Sequence, residues 1–216
     1  IFAGELKTIK IDEKFDYVVA LNEEFNSLEE VDKFLKVVKS KLKLDGKAII
    51  AIDNKFGIKY WSGIKKENGI LAYETLTGRK DIVELSDFQK KLVENNFKSK
   101  IYYPMPDVNF TNAIYTDEWL PSIEHINSRY WDFINYRISD VNFSEKEVLK
   151  ELVKKDKTLF KLFCNSYLVV ANNSKEDIGI KAVTYGIFRK PEYRIKTIIK
   201  SKEVIKTANT EIAEKH

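Results

Sequence analysis

The sequence predicts an α/β fold organised on a parallel sheet, with a long insertion before the last strand of that sheet and a small β-rich appendage at the carboxyl end. Three observations predict it: two continuous apolar runs, a stretch of helical periodicity joining them, and short alternating segments late in the chain. The first run, Lys14-Phe15-Asp16-Tyr17-Val18-Val19-Ala20-Leu21, has a β-branched centre and leaves through Asn22-Glu23-Glu24, so it reads as a buried parallel strand. Ser27-Leu28-Glu29-Glu30 has the capping-box pattern, and Val31, Phe34, Leu35, Val38 and Leu42 then recur at helical spacing. Leu44-Asp45-Gly46-Lys47 reads as the helix end, with Gly46 able to take the left-handed turn conformation. Ala48-Ile49-Ile50-Ala51-Ile52-Asp53 is the second apolar strand. Strand, amphipathic helix and strand make a βαβ unit, whose right-handed crossover brings the two strands together in parallel.

A connection from Asn54 to Glu84 follows, after which Leu85-Ser86-Asp87-Phe88-Gln89 opens a second helix. Ser86 is its expected N-cap, Phe88, Leu92 and Val93 are expected to face inward, and Asn95-Asn96-Phe97 closes it. Lys100-Ile101-Tyr102-Tyr103 is a third strand, stopped by Pro104-Met105-Pro106-Asp107. An aromatic stretch from Phe110 to Tyr136 and a charged helix from Ser144 to Lys155 lead to a fourth strand, Asn165 to Ala171. The polar break Asn172 to Asp177 is the expected boundary between a domain of residues 1–172 and an appendage of residues 173–216. In the appendage, Lys181 to Phe188 and Tyr193 to Ile199 alternate as paired strands, Glu203 to Lys206 offers a third, and the tail to His216 is helix-like. So short a segment cannot bury a core alone, so it is expected to dock on the main domain or to begin a following one.

Composition narrows the function classes. Basic and acidic residues number 37 and 33, a near-balance that argues against a dedicated nucleic-acid binder. Lys33, Lys36, Lys39, Lys41 and Lys43 fall where a helix shows its wet face. The single cysteine, Cys164, excludes a disulfide framework within the chain and points to a reducing compartment; with two histidines it also argues against a metal site of the zinc type. Cys164 itself reads as a small buried hydrophobe. No apolar run approaches the ~18 residues of a bilayer span, so no membrane crossing is expected and the localisation expected is cytoplasmic.

Several of these segments carry a resemblance. Lys14 to Val19 resembles the entry into the fourth strand of class I, Rossmann-like S-adenosylmethionine-dependent methyltransferases, and Leu42 to Ile50 resembles their turn into the fifth. The segment Ile52-Asp53-Asn54-Lys55-Phe56-Gly57-Ile58-Lys59-Tyr60-Trp61-Ser62-Gly63 resembles a signature of methyltransferase domains in long, multidomain bacterial surface-polysaccharide biosynthesis proteins, often beside glycosyltransferase modules. Tyr102 to Asp107, Tyr115 to Pro121 and Phe163 to Val170 resemble later blocks, so the resemblance covers roughly residues 1–172. It implies the C-terminal part of a Rossmann-like methyltransferase sheet, S-adenosylmethionine as cofactor of the full-length protein, a glycan or nucleotide-sugar acceptor, and other domains of the same polypeptide as partners. The family's glycine-rich loop and its ribose-binding acidic residue do not occur in these residues and are expected upstream of Ile1, so this piece by itself is expected to bind the cofactor poorly. Asn22-Glu23-Glu24-Phe25 also departs from the "G-LEY"-like sequence the family carries after its fourth strand. The competing expectation is a non-catalytic domain that scaffolds glycosyltransferase modules.

Ligands of open α/β sheets sit outside the carboxyl ends of the strands, which directs attention to Asn22 and Glu23 after the first run and to Asp53, Asn54 and Lys55 after the second. Asp53 is the candidate catalytic base for a hydroxyl acceptor, because a carboxylate at a strand end beside an apolar core can have a raised pKa. The alternative is that Asp53 and Asn54 only form the turn that ends the strand. The resemblance places Glu5 against the adenine ring, and with Asn22 and Glu23 it completes the cofactor-binding candidates. Asn54, Lys55, Tyr60, Trp61 and His125 are the substrate-binding candidates, with the aromatics serving either as walls of a sugar pocket or as core. His125, either structural or substrate-binding, lies in the insert Asp107 to Lys157, whose length suits a lid or recognition element.

Overall fold

The structure, a computed structural model, describes residues 12–23, 25, 27–62, 83–129, 144–172, 179–186 and 189–208. The expected βαβ unit is present as β1 (Phe15–Glu23), α1 (Leu28–Lys41) and β2 (Leu42–Asp53), with β1 and β2 parallel and Val18, Val19 and Ala20 opposite Ala48, Ile49 and Ile50. Ser27 caps α1 from extended backbone, its Oγ accepting the Glu30 amide at 3.2 Å. Val31, Phe34, Leu35 and Val38 form the buried stripe of the helix.

The chain continues through α2 (Ile58–Trp61), α3 (Leu85–Glu94), β3 (Lys98–Met105), β4 (Ala113–Tyr115), α4 (Ile123–Arg129), α5 (Glu145–Lys155), α6 (Leu159–Phe163) and β5 (Ser166–Asn172). It ends, among the described residues, in β6 (Ile180–Tyr185), β7 (Ile195–Lys200) and β8 (Val204–Ala208). All eight strands join one sheet in the order β1-β2-β5-β3-β4-β6-β7-β8. The sheet is mixed rather than parallel throughout: β5 runs antiparallel to both of its neighbours, β2 and β3, which are therefore parallel to each other. Residues 98–102 of β3 pair with β5 and residues 103–105 pair with β4, so β3 links the first four strands to the last four. The appendage strands extend this sheet, because β6 pairs with β4. No helix among the described residues is long and apolar enough to cross a membrane.

One face of the first four strands is closed and the other is open. Ala20, Ile50, Val169 and Ile101 lie in register across β1, β2, β5 and β3, and all four are buried together with residues of α1 and α3. Phe25 ties these layers, its ring 5.2 Å from Phe34 of α1 and 5.9 Å from Phe88 of α3. The neighbouring row, Val19, Ile49, Val170 and Lys100, contains no fully buried residue. This corrects the expectation of a buried first strand. β1 is an edge strand whose residues Tyr17, Val19 and Leu21 are 61%, 57% and 59% exposed, because a continuous apolar run records no preference for one face or two.

Other expectations change for local reasons. Gly46 does not end α1; Leu42 caps the helix in extended conformation and β2 begins there. Gly46 has a different function: a Cβ there would stand 2.9 Å from the Phe15 carbonyl oxygen, at the place where the β1–β2 register jumps from Phe15 opposite Leu42 to Tyr17 opposite Lys47. Helix α3 starts one residue before Ser86, with Glu84 at the N-cap and no side-chain cap, and Val93 is 71% exposed while Phe88 and Leu92 are fully buried. Val93 follows Leu92 by 100° around the helix, which carries it off the buried stripe. Strand β3 runs through Pro104 to Met105; pairing with β5 has ended at Tyr102, so the missing amide costs no ladder bond on that side. The insert contributes β4 to the sheet in addition to α4 and α5, so the described part of it is framework.

Candidate functional site

The carboxyl end of β2 is built by a tight turn. The Asn54 side-chain oxygen accepts the Phe56 amide at 3.0 Å, its carbonyl accepts the Gly57 amide at 2.9 Å, and its own amide donates to the Asn165 carbonyl at 3.1 Å. The Asn54 carboxamide also donates to the carbonyls of Leu162 and Cys164 at 2.7 and 2.6 Å. Asn54, a substrate-binding candidate from sequence, is thus buried and turned to the protein. Gly57 lets the turn approach β5: a Cβ there would meet the Asn54 oxygen at 3.0 Å and the Asn165 Cα and carbonyl at 3.1 and 3.2 Å, all of them backbone.

The turn launches the single-turn helix α2, which projects Lys59 back into the protein. Its ammonium donates to Asp53 Oδ1 at 3.0 Å and to Asp107 Oδ2 at 2.7 Å, bridging the end of β2 to the segment after β3. Burial alone would lower the pKa of this ammonium, but the charges of Asp53 and Asp107 and the hydrogen bonds they accept outweigh burial and raise it above the ordinary lysine value. Tyr60, also buried, donates its hydroxyl to Asp53 Oδ2, and the Lys59 ammonium lies 5.1 Å from the Tyr60 ring centre. Asp107 is the more deeply buried carboxylate, at 2% exposure, and its second oxygen accepts the Asn109 amide at 3.0 Å, capping the short 3-10 turn Val108–Phe110.

Asn165, just before β5, locks these pieces together. Its Oδ1 accepts the Lys59 amide at 2.8 Å, and its Nδ2 donates to the Pro106 carbonyl and to Glu145 Oε2, both at 3.0 Å. The Ser62 hydroxyl lies within hydrogen-bond range of the Lys59 carbonyl at 2.7 Å and of Glu145 Oε1 at 3.2 Å. Ser166 accepts the Val108 amide at 2.8 Å. A buried polar network of this density fixes side-chain orientation, because each member left unmatched would cost its desolvation. Its one strongly accessible carboxylate is Asp53, a third exposed, held by Lys59 and Tyr60 on its two oxygens. The neighbours of Asp53 are thus a cation and a phenol in place of the apolar core expected beside it. Chemically the arrangement presents an oriented carboxylate acceptor at the carboxyl end of β2.

The remaining sequence candidates divide. Lys55 is half-buried, pairs with Glu84 at 3.3 Å and sits 6.0 Å from the Phe56 ring centre. Trp61 is 43% exposed with its indole N–H donating to the Phe56 carbonyl at 3.3 Å, which leaves an aromatic face at the surface two residues from Lys59. Asn22 and Glu23 close β1, with Glu23 opposite Ile52, so their backbone adjoins the cluster; their side chains and all of Glu5 lie outside the described residues. His125 is elsewhere: its Nδ1 accepts the Ser122 amide at 3.3 Å, its ring stacks on Tyr115, and it lines a separate hollow with Asp117, Trp119 and Lys157. Cys164 is buried, and its thiol is pushed well above the ordinary range by that burial.

Lys59, Asp107, Glu145 and Asn165 were not singled out from sequence. Lys59, Asp107 and Asn165 each stand inside a segment that carries the resemblance, and a charged or amide residue flanked by apolar ones, as in Ile58-Lys59-Tyr60, was the available signal. No protein-family model matches the chain, and no curated protein matches it. Among solved structures it is similar to a SAM-dependent methyltransferase from Archaeoglobus fulgidus, with 16% identity and a TM-score of 0.39 over 77% of this chain and 62% of that one. The chain therefore spans somewhat under two thirds of the length of that protein.

Proposed function

We propose that the chain is the acceptor-side part of an S-adenosylmethionine-dependent methyltransferase domain that modifies a hydroxyl of a glycan or nucleotide-linked sugar in bacterial surface-polysaccharide synthesis. The observation that carries the reading is convergence: the segment Asp53 to Ser62, on which the resemblance chiefly rests, is the segment that meets Asp107 and Asn165 in one polar cluster at the carboxyl end of β2. The cofactor supplies an activated methyl group, with Asn22 and Glu23 at the adjacent strand end and Glu5 as the residues to hold it. Transfer to an oxygen breaks the sulfur–methyl bond, forms the oxygen–methyl bond and requires the hydroxyl proton to leave. Asp53 is the acceptor for that proton, with Lys59 and Tyr60 as its positioning residues and Trp61 as an exposed platform for a sugar ring.

Calorimetric titration of the full-length polypeptide with S-adenosylhomocysteine tests the reading. Binding is expected, and Asp53→Asn is expected to retain it while methyl transfer falls by roughly 10²- to 10⁴-fold. No heat and no thermal shift at millimolar ligand would overturn the enzyme reading. A non-catalytic interaction domain is the second reading, favoured by the exposed apolar row Phe15, Tyr17, Val19 and Leu21 on β1; the same titration separates the two.

A further inference from the structure

The last three strands carry a charge imbalance that the rest of the chain lacks. Residues 173–216 hold ten lysines and arginines against six acidic residues, an excess of four. The whole chain has 37 against 33, an excess of four, so all of the surplus positive charge is gathered here. Elsewhere many lysines have acidic partners, among them Lys43 with Asp16, Lys55 with Glu84, Lys100 with Glu118 and Lys161 with Asp117. Across β6 to β8, Lys200 with Glu203 at 2.7 Å is the single such pair among the described residues.

Lys196 and Lys200 stand on one face of these strands and Lys206 on the other. Tyr185, Lys196 and Thr207 form a row across β6, β7 and β8, with Val183, Ile198 and Ile205 in the next row of the same face. The opposite face carries Ala182 and Ile199, which pack on the core. An open groove of about 560 Å³ lies along the first row and is also lined by Arg194, Thr111 and Ile114. Arg194 is anchored through its Nε, which donates to the Arg189 carbonyl at 3.2 Å, leaving the two terminal nitrogens of the guanidinium to reach a ligand. Grooves of ~300–1,000 Å³ hold small molecules rather than folded partners. Among the described residues the lining holds two cations and no carboxylate, which suits phosphate oxygens that the planar guanidinium binds in pairs. The half-buried Tyr185 beside Ile114 offers a partly apolar wall for a sugar or base.

We propose that this groove is a binding site for a nucleoside diphosphate or a sugar linked to one, with Arg194 and Lys196 on the phosphates, Thr207 as a hydroxyl donor, and Tyr185 against the nucleoside or sugar. The site is separate from the Asp53 cluster and does not depend on the methyl-transfer reading. One link between the two runs through residues 107–112, where the Thr111 hydroxyl donates to the Asp107 carbonyl at 2.9 Å.

Calorimetry on the full-length polypeptide at low salt, with uridine diphosphate, inorganic pyrophosphate, uridine and a single-stranded oligonucleotide as probes, tests the proposal. Uridine diphosphate is expected to bind more tightly than pyrophosphate, and uridine not to bind. Lys196→Glu and Arg194→Glu are each expected to weaken uridine diphosphate by at least about tenfold, the scale of one charge-assisted contact. Both variants should leave S-adenosylhomocysteine binding and the thermal midpoint unchanged, so failure here and failure of the methyltransferase reading are told apart. Three results overturn the proposal: no uridine diphosphate binding at millimolar concentration, binding that both charge reversals leave intact, or an oligonucleotide that binds more tightly than uridine diphosphate and is lost in the same variants.

Discussion

Replacing Lys59 by methionine keeps the length and apolar stem of the side chain and removes the cation that joins Asp53 to Asp107. At an effective dielectric of about 20, ion pairs at the observed 3.0 and 2.7 Å are each worth roughly 6 kcal/mol before desolvation. Burying the ammonium takes back several kcal/mol, and solvent screening discounts the pair with the third-exposed Asp53 further. What remains is dominated by Asp107, a carboxylate left buried without its cation, for which a loss of ~3–5 kcal/mol is typical; the screening of Asp53 places the expected value near 3. For a chain of this size that lowers Tm by roughly 6–12 °C. Urea denaturation at pH 7, followed by circular dichroism, reads the loss directly. Asp107→Asn added to Lys59→Met should restore more than half of it, because the isolated buried charge is its source. The raised pKa of Lys59 also sets a pH signature: its contribution is fully present below the ordinary lysine value of 10.5 and is lost as pH rises through the higher folded-state value. The gap between wild type and Lys59→Met should therefore stay constant from neutral pH to about 10 and close above that. A loss under ~1 kcal/mol, or a double variant no more stable than the single one, would refute the assignment of Lys59 as the bridge.

Gly57→Ala places a methyl group 3.0–3.2 Å from three backbone atoms that have nowhere to retreat, and about 1–3 kcal/mol of stability should be lost in the same denaturation assay. Asn165→Leu strands the Lys59 amide, the Pro106 carbonyl and Glu145 together, so a loss of at least ~2 kcal/mol is expected; a neutral result would mean the cluster repacks. Phe88→Ala opens a cavity between α1 and α3 and should cost ~3–5 kcal/mol, whereas Val93→Ser on the same helix should stay within about 0.5 kcal/mol. Equal effects at Phe88 and Val93 would show that the buried stripe of α3 has been misplaced.

The start and the buried stripe of helix α1 were legible because the local signals agreed there: Ser27 at the cap, Glu30 in the first turn and four apolar residues at one angular position. The parallel pairing of β1 with β2 followed from the helix between them, since chain chirality leaves one crossover. What escaped were decisions made by neighbours distant in sequence. Whether Val19 and Leu21 are covered depends on what packs on an edge strand, and an apolar run carries no record of that. Gly46 offered a left-handed turn, but the carbonyl of Phe15 claimed the space first. The polar cluster is the clearest case. Asp53 was visible because strand ends can be read locally, yet the rest of the cluster comes from positions 59, 107, 145 and 165, and the antiparallel insertion of β5 between β2 and β3 brings these together. The sequence by itself determined the three longer helices and the βαβ unit, because those rest on periodicity and backbone handedness. The tertiary structure alone decided which side chains meet in the polar cluster, because the partners that offset the desolvation of a buried charge come from segments distant in sequence.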